Sequence, residues 1–153
     1  MMKKEGLEPE GPSRFLCYKL SLVMRRVQRY YESRLAPFGI TPVQFYVFSV
    51  LWLNDGIKFK DLAERVSMDG ATLSGILDRM ERAGYVARGE DPEDRRSLLV
   101  FLTEQARENG PAIVQLAETL DREIKERFSG DDYRIFLTIL DQMLEPGEPG
   151  SSV

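Results

Sequence analysis

Apolar side chains recur along this chain at two spacings, and the change of spacing divides it. Leu16, Leu20, Val23, Val27, Tyr31 and Leu35 step by three or four, which predicts a helix from near Ser13, stopped by Pro37 and Gly39. A second helix has a clear start. Thr41 suits the N-cap, Pro42 the first helical position, and Gln44 the returning member of a capping box. Its body, Val43–Leu53, is apolar on nearly every face, so it is expected to be the buried central helix, ending at Asn54-Asp55-Gly56. A third helix over Lys58–Val66 turns Phe59, Leu62, Ala63 and Val66 to one side. A fourth follows Asp69, another N-cap, with Leu73, Ile76, Leu77 and Met80 inward and Gly84 at its close. Ser67, Met68 and Asp69 alone separate these two, which reads as helix-turn-helix.

The period then drops to that of a strand. Tyr85–Arg88 and Leu98–Leu102 are expected to pair as a β-hairpin around the polar loop Gly89–Ser97, with Asp91-Pro92 as its turn signal. A hairpin directly after a helix-turn-helix is a wing. Thr103 is placed to cap a fifth helix reaching about Phe128, kinked at Gly110-Pro111, with the stripe Ile113, Ala117, Leu120, Ile124 and Phe128. Ser129 caps a sixth, with Tyr133, Phe136, Leu137, Leu140 and Met143 on one face. Long apolar stripes on terminal helices need a covering surface, and a second copy of the chain supplies one. The expected fold is mainly α: a winged helix-turn-helix with one β-hairpin wing and N- and C-terminal dimerisation helices. Residues 1–12 read as a flexible arm and 146–153 as a disordered tail. Residues 13–145 read as one domain, with 13–36 and 104–145 dimerising and 41–103 forming the winged-helix DNA-binding region.

Composition narrows the chemistry. The chain has 153 residues, 42% hydrophobic and 30% charged, the profile of a soluble globular protein. No run approaches the roughly 18 consecutive apolar residues of a membrane span, and no apolar stretch follows Lys3-Lys4 as in a signal peptide, so a cytoplasmic protein is expected. The single cysteine, Cys17, excludes an intramolecular disulfide and a Cys-rich metal site. The absence of histidine removes the commonest general base and zinc ligand. With no glycine-rich phosphate loop either, the expectation is a non-enzyme with no cofactor and no metal. Net charge is −4, unevenly spread. Residues 13–36 hold six Lys/Arg against one Glu, 58–103 eight against nine acids, and 104–153 five against eleven. The near-neutral middle segment gives DNA binding no bulk electrostatic support and favours the alternative, a winged-helix protein–protein interaction module without DNA binding.

Two runs carry a family resemblance. Asp91-Pro-Glu-Asp-Arg-Arg-Ser-Leu-Leu-Val-Phe-Leu-Thr103 resembles the wing of the MarR regulators, and Asp69-Gly-Ala-Thr-Leu-Ser-Gly-Ile-Leu-Asp-Arg-Met-Glu-Arg-Ala-Gly84 resembles their recognition helix. The resemblance covers about residues 13–145 and implies a homodimeric regulator on a palindromic double-stranded DNA operator, typically a repressor released by a ligand or oxidant. Gly70, Thr72, Ser74 and Gly75 would meet base edges, with Arg79 and Arg82 reaching phosphates. Arg95 and Arg96 lie in the wing, Arg96 matching an arginine set in the minor groove and Asp94 the aspartate that holds it. Gly70 and Asp78 depart from the pattern and offer DNA little or adverse contact. Ser13-Arg-Phe-Leu-Cys-Tyr-Lys-Leu-Ser21 resembles the first helix of the OhrR-type organic-hydroperoxide sensors. Cys17 matches their reactive cysteine and Tyr31 one of two tyrosines that hold it, but Pro42 stands where the second belongs; Tyr30, Tyr18 and Tyr46 are the candidate substitutes. Cys17 thus reads either as a redox sensor or as a small apolar residue packed in the core. Phe15, Tyr18, Phe45, Tyr46 and Trp52 are candidates for a pocket holding a small aromatic ligand, or for ordinary core.

Overall fold

The computed structural model describes residues 11–145, so the expectations for residues 1–10 and 146–153 lie outside the described residues. Gly11 and Pro12, assigned to the arm, belong instead to a 3-10 turn, Gly11–Arg14. The chain forms two compact units, divided between Val114 and Gln115.

In the first unit, α1 (Leu16–Leu35) buries only Tyr31 and Leu35, and a 3-10 turn, Ala36–Phe38, closes on Gly39 in the left-handed conformation. Helix α2 (Pro42–Leu53) opens on the expected capping box: Gln44 N–H donates to Thr41 Oγ1 at 3.3 Å and Thr41 N–H to Gln44 Oε1 at 2.9 Å. It buries Gln44, Phe45, Val47, Phe48 and Leu51, as a central helix should.

The expected third helix starts one residue later than its pattern suggested. Ile57–Lys58 forms a short strand, β1, and α3 runs Phe59–Arg65. The cause is tertiary. Ile57 lies opposite Val100, Gly56 N–H donates to Val100 O at 3.0 Å, and Leu102 N–H donates to Asp55 Oδ1 at 2.8 Å, so this stretch is an edge for the hairpin. Ser67, with φ 54°, makes the tight reversal into α4 (Gly70–Arg82).

Strands β2 (Val86–Glu90) and β3 (Leu98–Leu102) pair antiparallel, Val86 opposite Leu102 and Glu90 opposite Leu98, giving the sheet order β1-β3-β2. The first hairpin strand is thus shifted: Gly89 and Glu90, expected in the loop, are paired, and Tyr85 leaves the strand. Tyr85 is buried, its hydroxyl donating to Phe38 O at 2.7 Å and accepting from Asn109 Nδ2 at 3.1 Å. A buried phenol needs such partners, and they outweigh its strand preference.

Helix α5 (Glu104–Lys125) is capped by Thr103, whose Oγ1 accepts from Ala106 N–H at 3.2 Å, and it continues through Pro111 but ends three residues before Phe128. At Gly110 the Trp52 ring occupies the space a Cβ would need, so the glycine is what admits the indole.

The second unit holds the end of α5 and α6 (Gly130–Leu144). Ser129 Oγ accepts from Asp132 N–H at 3.1 Å, and Phe128 stacks on Phe136 with centroids 6.3 Å apart. Helix α6 buries none of its residues; Ile135, Phe136, Leu137, Ile139 and Met143 are all exposed. Among the described residues no single helix is long and apolar enough to cross a membrane.

Candidate nucleic-acid interface

Helix α4 is anchored from within. Leu73, Leu77 and Met80 are fully buried and Ile76 nearly so, which fixes the face that points outward. Its first turn is tied by Asp69: one carboxylate oxygen accepts Thr72 N–H at 2.8 Å and the other Thr72 Oγ1 at 2.8 Å. These bonds, the backbone one first, hold the Asp69 carboxyl below its ordinary range. Gly70, Thr72, Arg79 and Arg82 are exposed, and Ser74 and Gly75 half-buried. A Cβ at Gly75 would meet nothing within 4 Å, and one at Gly70 would make only ordinary contact with the Phe59 ring at 3.6 Å. Packing within this chain therefore demands neither glycine. They leave the start of α4 low enough for close approach by an outside surface.

The wing tip is built from aspartates. Asp91 is buried; its Oδ1 accepts Glu93 N–H at 2.9 Å, and its Oδ2 faces Lys58 Nζ at 3.5 Å. Asp91 N–H donates to Ser97 O at 3.0 Å and Ser97 N–H to Asp94 O at 2.9 Å, closing the loop. Asp94 takes Arg96 N–H at 3.1 Å on one oxygen and Ser97 Oγ at 2.9 Å on the other, bonds that lower its pKa, the Arg96 backbone first. Asp94 thus acts on the backbone beneath Arg96. Arg95 and Arg96 are exposed.

Three residues of this surface escaped sequence reasoning. Arg88 Nη2 lies 2.6 Å from Asp78 Oδ1 and 2.8 Å from Glu81 Oε2. Lys58 pairs with Asp91, and Arg107 with Asp55. Burial works against the Asp55 carboxylate, yet the bonds from Arg107 and Leu102 N–H outweigh it and lower its pKa. Five of the acids in this segment are bonded within the chain. Asp69 and Asp94 are tied to backbone, and Asp78, Glu81 and Asp91 to cations. Arg79, Arg95 and Arg96 form no ion pair among the described residues. The one sequence signal was Asp78, a departure from the family pattern whose partner, ten residues on, cannot be read from helical spacing.

The candidate switch residues are scattered. Cys17 is exposed in the first turn of α1, so it is not a core residue of its own chain. Tyr31 is buried and stacks on Phe45, with centroids 5.1 Å apart; Tyr30 meets it edge-on at 5.5 Å. Trp52 stacks on Phe48 at 5.8 Å. Phe45 and Trp52 are thereby taken up in packing, Phe15 and Tyr46 are exposed, and Tyr18 is half-buried.

A model of the MarR family matches residues 40–98, the span from the start of α2 to the wing. The chain is 33% identical over 100 residues to the HTH-type transcriptional regulator TtmR of Methylorubrum extorquens (strain PA1), covering 65% of this chain and only about half, 51%, of that one. It is 30% identical over 130 residues to the organic hydroperoxide resistance transcriptional regulator of Bacillus subtilis (strain 168), covering 85% of this chain and 87% of the relative. Among solved structures, the transcriptional repressor CouR bound to a 23-mer DNA duplex superposes with a TM-score of 0.76 at 27% identity, over 86% of this chain and 93% of that one.

Proposed function

This chain belongs to the MarR family, and from that premise we propose that it is a sequence-specific DNA-binding transcriptional regulator, a repressor released by an oxidant or a small ligand. The observation that carries this reading is the surface formed by α4 and the wing: a low, polar helix start beside exposed Arg79, Arg95 and Arg96, with Asp69, Asp78, Glu81, Asp91 and Asp94 bonded within the chain. Thr72 and Ser74 offer hydroxyls to base edges, and Arg79 and Arg82 lie where phosphates pass. Arg96, on a backbone braced by Asp94, enters the minor groove.

The working form is a homodimer of residues 13–145, in the cytoplasm. Exposed Leu16, Leu22 and Val23 on α1, and the uncovered apolar residues of α6, support a second copy as their cover. Two recognition helices about 34 Å apart then read a palindromic operator. Of the release signals, oxidation has the better support. Cys17 is exposed, and the Bacillus subtilis relative is a hydroperoxide-resistance regulator. The Cys17 thiolate attacks the terminal peroxide oxygen, the O–O bond breaks, and the departing alkoxide takes a proton from water, leaving a sulfenic acid and an alcohol. From the sulfenic acid the sulfur goes on to a mixed disulfide or an overoxidised form, and with no second cysteine in the sequence a disulfide is made with a small thiol or another chain. An aromatic ligand has less to recommend it, since Phe45 and Trp52 already have ring partners.

Fluorescence anisotropy with duplexes from random-sequence selection tests the reading. A selected palindrome bound with a steep salt dependence is expected. Failure to enrich any sequence overturns it. Adding an organic hydroperoxide should release the wild type and spare Cys17→Ser; equal release of both would exclude Cys17 as the sensor.

A further inference from the structure

We propose that Arg88 is a positioning residue of the DNA-reading surface, holding the Asp78 and Glu81 carboxylates of α4 against the wing and away from bound DNA. The inference rests on the DNA-binding reading above. Asp78 and Glu81 stand one turn apart on the helix that carries Thr72, Ser74, Arg79 and Arg82. Like charges at that spacing repel, and free carboxylates among the reading side chains would face the phosphates within the ~10 Å over which charges act in physiological salt.

The sheet supplies the remedy. Register sets Arg88 opposite Val100 in the middle of β2, and from there a single guanidinium nitrogen reaches both acids, ten and seven residues away. The Arg88 side chain is 23% exposed, against 53% for Asp78 and 44% for Glu81, so the cation is the inner member and draws both carboxylates inward toward β2. The bonds to Glu81 and then Asp78 raise the Arg88 pKa further, so the guanidinium stays charged. The same contact ties the first wing strand to the recognition helix, joining the two elements that must reach the major and minor grooves together.

The test uses the full chain and a fluorescent duplex chosen by random-sequence selection, with four proteins: wild type, R88A, D78N/E81Q and R88A/D78N/E81Q. R88A is expected to bind roughly tenfold more weakly at about 50 mM salt, with the deficit shrinking toward about 200 mM as freed carboxylates are screened. D78N/E81Q should bind at least as well as wild type. Adding D78N/E81Q to R88A should improve binding by a much larger factor than it does in the wild type, recovering most of the loss. Because a misfolded R88A would not be rescued by changing two surface acids, the rescue separates positioning from simple loss of fold, with circular dichroism melting as the control. R88A binding as tightly as wild type overturns the proposal. So does an equal factor in both backgrounds, which would make the acids act only as independent charges. So does an unrescued, salt-independent deficit, which would make Arg88 merely structural. A wild-type chain that selects no duplex overturns the DNA reading itself, an outcome distinct from all of these.

Discussion

Helix α4 and the wing tip at residues 91–97 sit in one unit and are held by different forces. Four α4 side chains, Leu73, Ile76, Leu77 and Met80, are lost to solvent, so the helix is placed by apolar packing. At the tip only Asp91 is buried, and the loop keeps its shape through carboxylate bonds from Asp91 and Asp94 to Glu93 N–H, Arg96 N–H and Ser97 Oγ. Removing volume from beneath α4 should therefore unsettle the whole unit, whereas removing a wing carboxylate should alter only what the tip presents. The two elements proposed to face DNA are separable by experiment for that reason.

The sharpest way to break the comparison is Leu77→Ala. A fully buried leucine truncated to alanine should destabilise the protein by about 3 kcal/mol, read from the shift in urea midpoint. A loss under about 1 kcal/mol would mean α4 is not held by packing. Next come two glycines of opposite surroundings. Gly110→Ala drives a methyl into the Trp52 ring and should destabilise by roughly 1–3 kcal/mol. Gly75→Ala enters open space on a helix, so it should raise stability by up to about 1 kcal/mol while weakening DNA binding. Gains in both stability and affinity at position 75 would contradict the reading of this face.

Asp94→Ala should leave the melting temperature nearly unchanged and weaken operator binding by roughly tenfold, through a loosened backbone under Arg96. A large fall in melting temperature would show that the tip supports the core after all. The smallest effect is in pH. Asp69 and Asp94 both have pKa values lowered from the ordinary aspartate value of 3.8, so their bonds contribute in full above that value. The contribution is lost as pH falls below 3.8 through the lower folded values. Titration of the Thr72 and Arg96 amide resonances should therefore show midpoints below 3.8. Midpoints at or above it would remove both carboxylates from the account.

The helix starts were legible one element at a time. Thr41, Asp69, Thr103 and Ser129 each announced a helix start, and each accepts the expected backbone N–H three residues on. The inward stripe of α4 was legible in the same way. Beyond the reach of one helix turn the reading weakened. Lys58 looked helical until β3 offered it an edge, and Tyr85 looked like a strand residue until Phe38 O and Asn109 claimed its hydroxyl.

Sequence by itself determined the order of the helices and the hairpin, the caps at Thr41, Asp69, Thr103 and Ser129 and the face that α4 buries, because those depend on side chains within about four residues of one another. Only the tertiary structure decided which charge meets which. Asp55 meets Arg107 across 52 residues and Leu102 N–H across 47, and Arg88 meets Asp78 and Glu81 across a helix–strand junction. Such pairings follow from sheet register and from the angle at which a helix packs. Those are set by the shape of the buried core, which no local spacing in the chain encodes.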